Sequence, residues 1–368
     1  MTDVLPLARP VVGDEEERAV IDVLRSGQLS LGPRLAAFER AFATRIGVEE
    51  ACAVSSGTAG LHLALRAAGV RAGGEVITSP FSFVASANAI LYEGARPVFV
   101  DIDPETLCVP AGAVAGAVTE RTSALLPVHI FGWPADVEAM EGIGLPIVED
   151  ACEALGAVFS DGTPVGGRGH LAVFGFYANK QMTTGEGGMI TLADPAAAER
   201  IRSERNQGRA PDMGWLDHDR LGFNYRLSDI ACALGEVQLA RLDDLLAARA
   251  RVAALYGEAL ADVEGLTLLC PDRDGRRRGW FVYTVLVPPY IARDDVVRGL
   301  GERGIQSKPY LPAIHLMSFY RERFGHRRGE FPVCEDVADR SLALPFFPGQ
   351  TEGDVARVRD ALVDILSR

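Results

Sequence analysis

The chain has 368 residues, of which 37 are basic and 50 are acidic, so its formal net charge is −13. This excess of negative charge argues against nucleic acid or an anionic membrane surface as the main partner, since both attract basic surfaces. No apolar run reaches the roughly 18 residues of a transmembrane helix. The first residues also lack the charged and apolar regions of a secretory signal peptide, so we expect a cytoplasmic protein.

Helices and strands alternate through the first half of the chain. The segment 14–26 places acids before apolar residues at helical spacing and ends at Gly27, which predicts a helix. Short apolar runs typical of buried strands follow, with helix-forming stretches between most of them. The predicted strands are 51–55, 75–79, 97–101, 123–130 and 145–149, and the predicted helices are 61–68, 83–92 and 135–141. This alternation predicts βαβ units, and hence an α/β fold with a mostly parallel central sheet flanked by helices.

The second half of the chain departs from this alternation. Two apolar runs after a glycine-rich loop, 171–176 and 188–192, follow each other without a helix between them. The segment 228–260 has no proline and predicts one long helix that leads into a second domain. The remainder contains the strand-like run 280–287 and the helical segments 294–302 and 354–366. We therefore expect a large domain at 1–245 and a smaller C-terminal α+β domain at 246–368.

The cysteines and histidines show no metal-binding spacing. The six cysteines are scattered among apolar runs and form no C-x-x-C pair. This distribution is typical of free, buried thiols in a reducing compartment. The six histidines are equally dispersed, with no H-E-x-x-H or related pattern. We therefore expect no metal site.

The ends of the predicted strands carry candidate ligand-binding residues. In open α/β sheets, ligands bind beyond the carboxyl ends of the strands. After the run 51–55, the segment Ser56-Gly57-Thr58 forms a turn of small residues that leads into a helix. Free N–H groups at a helix N-terminus, together with the Thr58 hydroxyl, favour a phosphate site. The same kind of turn is also an ordinary helix N-cap.

Two further segments place polar groups near predicted strand or helix ends. Asp150 follows an apolar strand, where it either caps the next turn or is a buried anion that holds a proton on a cofactor nitrogen. Asn224 and Arg226 precede the predicted long helix. They either form part of a helix-entry loop or offer planar amide and guanidinium donors to an anion.

Lysine is rare in this chain, which makes Lys180 informative. The sequence contains 35 arginines and two lysines, Lys180 and Lys308. A guanidinium stays charged in proteins, so only a lysine can act as a neutral amine. Lys180 lies between an aromatic strand and a glycine-rich turn, where it is either a surface loop residue or an amine that forms a Schiff base. A phosphate site, an acid for a ring nitrogen and an amine together favour pyridoxal 5′-phosphate (PLP) as cofactor.

The order of these motifs resembles the DegT/DnrJ/EryC1/StrS family of sugar aminotransferases, which are fold-type-I, aspartate-aminotransferase-like PLP enzymes. The resemblance runs nearly end to end and is most specific around Lys180. The matching segments are Ser26-Gly27, Leu31-Gly32-Pro33, Phe38-Glu39, Ser56-Gly57-Thr58, Val100-Asp101-Ile102-Asp103, Pro127-Val128-His129 with Gly132, Glu149-Asp150-Ala151, Lys180 with Thr184-Gly185-Glu186-Gly187-Gly188, Arg205-Asn206-Gln207-Gly208, Asn224-Tyr225-Arg226 and Leu344-Pro345.

The resemblance implies a PLP-dependent transaminase with a defined set of cofactor contacts. Lys180 matches the Schiff-base lysine that also moves the proton. Asp150 matches the carboxylate that faces the pyridine nitrogen. Gly57 and Thr58 match the phosphate ligands, through backbone N–H and hydroxyl. Phe83 matches the aromatic residue that stacks on the cofactor ring.

Three further positions carry consequences of the same resemblance. Glu153 matches a position beside the cofactor O3′ or the opposite ring face. Asn224 matches a residue that reaches the phosphate of the neighbouring subunit, which implies a homodimer with shared active sites. Many family members have a serine at the position of Gly175, whose hydroxyl binds phosphate. That hydroxyl is missing here, so the phosphate contact depends more on the 56–58 turn and on Asn224.

The resemblance also implies a reaction. Lys180 argues against the dehydratase branch of the family, in which histidine replaces the lysine. Together with Glu153, the segment around Lys180 is similar to perosamine-synthase-like enzymes. The sequence therefore predicts amino transfer from L-glutamate to C-4 of a nucleotide-linked 4-keto-6-deoxyhexose, for polysaccharide, glycan or antibiotic sugar biosynthesis. The alternatives are another PLP enzyme of this fold, such as a cyclitol aminotransferase or a sugar dehydratase, and a non-catalytic regulatory relative.

The substrate contacts are less well defined by the sequence. Arg226 and the cluster Arg276-Arg277-Arg278 are candidates for the nucleotide diphosphate, although the cluster also fits a solvated loop. Lys308 and His315 lie in a segment that approaches the substrate in the family. Each of them either serves the substrate pocket or has no functional role.

Overall fold

A seven-stranded sheet organises the first half of the protein. The structure is a computed structural model that describes residues 4–210, 217–269 and 272–367. The strands are β1 (Glu50–Val54), β2 (Glu75–Thr78), β3 (Arg96–Phe99), β4 (Thr122–Leu126), β5 (Val148–Asp150), β6 (Leu171–Gly175) and β7 (Gly188–Leu192). Two ladders, β3-β2-β4 and β5-β6-β7-β1, are joined by parallel bridges from Leu125 to Ile147 and from Val128 to Asp150. The strand order is therefore 3-2-4-5-6-7-1.

The sheet is parallel except at β7. Strand β2 pairs parallel to both β3 and β4, and β5 pairs parallel to β6. Strand β7 runs antiparallel to both of its neighbours, β6 and β1. No crossover helix separates β6 from β7, so the chain returns in the opposite direction at the same edge of the sheet. The predicted α/β fold with a mostly parallel sheet is confirmed, and the departure at 171–192 is this antiparallel return.

Seven helices accompany these strands. They are α1 (Asp14–Ser26), α2 (Pro33–Ile46), α3 (Gly57–Ala67), α4 (Ala85–Tyr92), α5 (Ala111–Gly116), α6 (Val137–Glu141) and α7 (Pro195–Glu204). Local sequence explains two of the ends: Gly27 closes α1 in the left-handed region, with φ 73°, and the Ser56 side chain accepts a hydrogen bond from the Ala59 N–H at the start of α3. The helix predicted over 14–26 is confirmed.

The segment 228–260 forms two helices rather than one. Helix α8 (Asp229–Ala240) is separated from α9 (Leu242–Leu260) by Arg241, which has φ −106° and ψ 16°. Helix α8 packs on α1 and α2, whereas α9 packs on the C-terminal helix of the chain. The Arg241 guanidinium also donates to Glu16 of α1 at 3.1 Å, which anchors the break. The prediction of one long helix is therefore wrong, because one straight helix could not follow both packing surfaces.

A separate antiparallel sheet lies in the C-terminal part. Its strands are β8 (Thr267–Leu268), β9 (Tyr283–Leu286), β10 (Lys308–Pro309) and β11 (Ser341–Leu344), in the order β10-β11-β9-β8, and its helices are α10 (Arg293–Glu302), α11 (Ser318–Phe324), α12 (Pro332–Arg340) and α13 (Glu352–Leu366). This sheet shares a hydrophobic core with α9, α10 and α13. The predicted strand 280–287 is shorter than expected, since only β9 forms ladder pairs. The proposed domain boundary at 245 falls within α9 and stays a prediction.

Among the described residues, no helix is long and apolar enough to cross a membrane. Cys52, Cys108, Cys152, Cys232 and Cys334 are free thiols, and all but Cys152 are buried. The sixth cysteine, Cys270, lies outside the described residues.

A buried ion pair fastens α2 to β1 and to the end of α7. The side chains of Glu39 and Arg205 are each only 8% exposed and contact one another directly. Glu39 also accepts a hydrogen bond from the Ala53 N–H at 2.8 Å, and Arg205 donates to the Ala53 carbonyl. The two charges therefore compensate each other away from water.

We expect Arg205→Met to destabilise the protein strongly, because it removes the cation in direct contact with the buried Glu39 carboxylate and leaves only the more distant Arg202, at 3.6 Å. The expected loss is about 3 to 5 kcal/mol in the free energy of unfolding. The matched control is Arg45→Met, since Arg45 pairs with Asp243 on the surface, where the two side chains are 37% and 78% exposed. That control is expected to cost less than about 1 kcal/mol. Urea unfolding of both variants provides the measurement, and equal losses would contradict the prediction.

Candidate active site

A cavity of about 600 Å³ lies at the carboxyl ends of the central strands. The residues that line it include Ser56 to Thr58 after β1, Asp150 at the end of β5 and Gly175 at the end of β6. Of the predicted site residues, the cavity brings together Gly57, Thr58, Phe83, Asp150, Glu153, Lys180 and Lys308. This position agrees with the binding edge of open α/β sheets.

The start of α3 forms one end of the cavity. Gly57 and Thr58 are its first two residues, so their N–H groups have no acceptor within the helix. Together with the helix dipole, these groups favour an anion at this point. A side-chain Cβ at Gly57 would lie 2.8 Å from the Cys152 Sγ atom, and one at Gly188 would lie 2.7 Å from the Ser56 carbonyl oxygen. The backbone is therefore tightly packed around this anion site at Gly57 and Thr58, which we call the phosphate seat.

The carboxylate of Asp150 lies within the cavity wall. It accepts a hydrogen bond from the Ser86 hydroxyl at 2.6 Å and one from the Cys152 N–H at 3.2 Å. Asp150 is 6% exposed, and it forms no ion pair with any cation of the described residues. A nearly buried carboxylate with two neutral donors retains acceptor capacity for a proton carried by a ligand.

The amine of Lys180 projects into the cavity from the loop between β6 and β7. Its Nζ atom lies 3.6 Å from the Glu153 Oε1 atom and 3.9 Å from the centroid of the Phe281 ring. The other oxygen of Glu153 accepts the Phe131 N–H at 3.0 Å. Burial raises the pKa of Glu153, and the charge of Lys180 opposes that rise. An amine and an acid in contact in a nearly buried site suit proton transfer.

The aromatic ring of Phe83 is exposed at the cavity. It is 62% exposed, which is unusual for a phenylalanine, and it precedes α4. A large apolar ring at the wall of a cavity offers a stacking surface to a planar ligand.

Lys308 is a second amine at this cavity. It lies on β10 of the C-terminal sheet, and its Nζ atom is 4.9 Å from the centroid of the Tyr310 ring. Partial burial lowers the pKa of Lys308, and the charge of Lys180 lowers that pKa further. The two lysines of the chain therefore lie close enough to influence each other electrostatically.

Three predicted residues do not line the cavity. His315 is fully buried: its Nε2 atom lies 3.0 Å from Glu335, and its ring packs on Phe331 at 4.7 Å between centroids. Within the described residues, His315 therefore packs in the core beside Glu335 and Phe331. The guanidinium of Arg226 donates to the Asn206 side chain at 3.1 Å, and Asn224 is exposed. Neither of them reaches the cavity of its own chain.

The arginine cluster at 276–278 also lies outside the cavity. Arg276 donates to Asp136 at 2.8 Å and to Glu138 at 3.1 Å, and Arg278 is stacked near Trp280 with 4.9 Å between the guanidinium carbon and the ring centroid. Arg276 and Arg278 are therefore engaged with side chains of their own subunit.

Several residues of the site escaped the sequence analysis. Ser86 follows Phe83 by one helical turn, and this spacing was the available signal for its approach to Asp150. Gln181 donates to the Glu153 carbonyl at 2.6 Å and to the Gly279 carbonyl at 2.9 Å. Phe281 lies about a hundred residues from Lys180, and no local pattern links the two.

These groups fit PLP. The start of α3 offers free N–H groups to a phosphate, Asp150 offers a carboxylate to a protonated ring nitrogen, and Phe83 offers a stacking surface. Lys180 offers the amine that an aldehyde requires.

The comparisons with known proteins agree with this chemistry. The sequence profile of the DegT/DnrJ/EryC1/StrS aminotransferase family matches residues 10–363. The spore coat polysaccharide biosynthesis protein SpsC of Bacillus subtilis is 36% identical, over 98% of this chain and 97% of its own length. The X-ray structure of DesV from S. venezuelae is 35% identical, with a TM-score of 0.91 over 96% of this chain and 95% of DesV.

A more distant structure shows the same fold in a cofactor-bound form. Spr1654 of Streptococcus pneumoniae, solved in its PLP form, has a TM-score of 0.93 at 24% identity and covers 99% of both chains. At this level of identity, the likeness establishes the fold.

We expect Glu153→Gln to stabilise the cofactor-free protein at neutral pH. Because burial raises the pKa of Glu153, the folded state binds this proton more tightly than the unfolded state. Stability is therefore lost as the pH rises from about 4, the ordinary carboxyl range, through the raised pKa. Glutamine does not titrate, so the variant avoids this loss, and its advantage should vanish near pH 4.

Thermal unfolding between pH 4 and pH 8 tests this expectation. The control is Glu186→Gln, because Glu186 is an exposed carboxylate that lines the same cavity. Parallel curves for the parent and the Glu153 variant across the whole pH range would contradict the prediction.

Proposed function

Since this chain belongs to the DegT/DnrJ/EryC1/StrS aminotransferase family and is a PLP-dependent sugar aminotransferase, we propose that it moves an amino group from L-glutamate to a nucleotide-linked keto-deoxy sugar. The proposed acceptor is C-4 of a 4-keto-6-deoxyhexose. The amino sugar would serve polysaccharide, glycan or antibiotic sugar biosynthesis. The observation that carries the proposal is the single cavity in which Lys180 and Asp150 meet the start of α3.

The chain's own residues divide the work of the reaction. Bound PLP supplies an electron sink for negative charge at the carbon next to the transferred nitrogen. Asp150 holds the proton on the ring nitrogen, and Ser86 fixes the orientation of that carboxylate through its 2.6 Å hydrogen bond. In each half-reaction Lys180 would move one proton through its Nζ atom: first from the carbon of the amino donor to the bound cofactor, and later from the cofactor to the acceptor carbon. Glu153, 3.6 Å away, would stabilise the ammonium that Lys180 carries during each transfer.

The wall opposite the central sheet suits a deoxy sugar. It consists mostly of apolar side chains from the C-terminal part, namely Phe281, Pro309, Tyr310, Leu311 and Pro312. Apolar surfaces of this kind pack against the methyl group and the ring faces of a 6-deoxyhexose. Lys308 lies on the same wall, where its ammonium meets either the diphosphate of the nucleotide or a carboxylate of L-glutamate.

A homodimer with shared active sites is part of the proposal. The segment that carries Asn224 is fastened to the phosphate seat of its own chain, because the Ser55 N–H donates to the Tyr225 carbonyl at 2.8 Å. Asn224 itself is exposed and is absent from the described lining of this cavity. Leu221, 70% exposed, and Tyr177, 53% exposed, offer apolar surface nearby. This arrangement supports a contact between Asn224 and the phosphate in the second subunit.

One observation favours a cyclitol aminotransferase as the second candidate. Among the described residues that line the cavity, Lys308 is the one cation apart from Lys180. A nucleotide diphosphate carries about two negative charges, whereas a keto-cyclitol carries none. If the partner subunit contributes no further cation, the neutral acceptor fits this cavity better.

A panel of acceptors separates the two candidates. We expect L-glutamate and a 4-keto-6-deoxyhexose nucleotide to give the mass change of a ketone converted into an amine, with release of 2-oxoglutarate. Lys180→Arg should abolish this product, because arginine keeps the charge of lysine but cannot release a proton. Turnover of a keto-inositol alone would establish the cyclitol function, and activity on 3-keto sugars alone would move the reaction to C-3.

Hybrid dimers test the shared active site. Lys180→Ala and Asn224→Ala are each expected to be nearly inactive as homodimers. Mixed by co-expression, they should recover roughly a quarter of the wild-type activity, since about half of the dimers are hybrids and each hybrid has one complete site. No recovery would indicate that Asn224 acts within its own subunit, whereas an Asn224→Ala homodimer of unchanged activity would show that Asn224 has no role.

A further inference from the structure

Arg249 is a buried cation that has no anionic partner in the described part of the chain. It lies on α9, is 3% exposed, and forms no ion pair with a carboxylate of the described residues. Its Nε atom has no hydrogen-bond partner. Burial lowers the pKa of Arg249 to about 10, so the side chain stays charged at neutral pH. Such a charge is costly to bury unless its hydrogen bonds are well used.

The hydrogen bonds of Arg249 all end on carbonyl groups around Lys180. One terminal nitrogen donates to the Lys180 carbonyl at 2.8 Å and to the Asn179 carbonyl at 3.4 Å. The other donates to the Phe281 carbonyl at 3.1 Å. Phe281 is the residue whose ring lies 3.9 Å from the Lys180 Nζ atom. The guanidinium therefore binds the backbone of Lys180 and also the backbone of Phe281, whose ring contacts the Lys180 amine.

We propose that Arg249 is a positioning residue that fixes the Lys180 loop and Phe281 to α9 and places a buried positive charge behind the loop that carries the reacting amine. This inference rests on the proposed role of Lys180. A planar guanidinium can donate to several carbonyl groups at fixed angles, whereas an ammonium is a more flexible point charge. The side chain of Phe346, at 5.8 Å from the guanidinium carbon, completes the pocket.

The location of Arg249 extends this role to the relation between the two sheets. Helix α9 leaves the large sheet and packs into the core of the C-terminal sheet. Phe281 precedes β9 of that sheet, whereas Lys180 belongs to the loop of the central sheet. Arg249 therefore ties the segment before β9 to the loop that carries Lys180.

Three variants of the holoenzyme test the proposal. Arg249→Met keeps a similar volume without charge or donors, and Arg249→Lys keeps the charge. The control is Arg251→Met, because Arg251 lies on the same helix, is exposed and donates to the Gln350 carbonyl at 3.3 Å. For Arg249→Met we expect kcat to fall about a hundredfold, the loss typical of a small displacement of a reacting group, with KM for L-glutamate changed less than about threefold.

Spectroscopy separates positioning from general damage. Removal of a buried positive charge favours protonation nearby, so the pH midpoint of the visible absorption band of the Arg249→Met holoenzyme should move to higher pH. Arg249→Lys should restore the midpoint and regain part of kcat. Arg251→Met should leave both unchanged. If Arg249→Met does not fold, Arg249→Lys alone provides the test. Because lysine keeps the charge but changes the orientation of the donors, we expect the midpoint of the parent together with a kcat below that of the parent.

Two results would overturn the inference. One is an Arg249→Met enzyme with unchanged kcat. The other is an Arg249→Met enzyme whose kcat falls while the pH midpoint of its absorption band stays unchanged, together with an Arg249→Lys enzyme that regains no kcat. This result would leave Arg249 a purely structural role. Failure of the proposed role of Lys180 would show differently: the Lys180→Ala protein would retain the visible absorption band of the parent.

Discussion

The antiparallel return from β6 to β7 is the constraint on which the active site depends. In a parallel sheet with helical crossovers, each strand starts at the edge opposite to the one where the previous strand ends. Between Gly175 and Gly188 the chain instead turns back at the carboxyl edge, and these two residues pair across the ladder. The intervening loop is thereby confined to the edge at which Asp150 ends β5. Lys180 meets Asp150 and the start of α3 because of this one change in direction.

The close packing at the base of that loop explains its composition. A Cβ atom added at Gly188 would lie only 2.7 Å from the Ser56 carbonyl oxygen. A Cβ atom added at Gly57 would lie 2.8 Å from the Sγ atom of Cys152. At Gly175 an added Cβ would be 3.4 Å from the Cβ atom of Cys152, so this position accepts a small side chain. The absence of a hydroxyl at Gly175 is therefore not imposed by space. The loop and the phosphate seat form one packed unit, and displacement of either one shifts the other.

The sequence predicts those parts of the site that follow directly from a strand. Ser56, Asp150 and Lys180 each come after an apolar run, so the position of the run gives the position of the residue. Contacts between distant segments have no such signal. Ser86, Phe281 and Arg249 reach the site through packing of α4, of the segment before β9 and of α9, and their local sequences resemble ordinary helix or strand surroundings.

The wrong prediction of one long helix, and the two alternatives that the sequence leaves open at His315, have the same origin. The apolar pattern continues through Arg241, and only the divergent packing partners of α8 and α9 show that the helix breaks there. His315 lies next in sequence to a segment that lines the cavity, yet its pairing with Glu335 turns it into the core. In both cases local pattern is compatible with two structures, and tertiary contacts decide between them.

The distribution of basic residues gives the site its chemical character. The chain has 35 arginines, and none of them lines the cavity in the described part of the chain, whereas both lysines do. Arg249 lies behind the Lys180 loop and binds carbonyl groups. A guanidinium at the cavity surface would hold its proton permanently and would add a fixed charge beside Asp150 and Glu153. The cavity therefore keeps its positive charge on amines, which can release a proton, and confines the permanent charge to the supporting structure. On this basis, the position of Lys308 favours a role in the substrate pocket over its interpretation as a lysine without function.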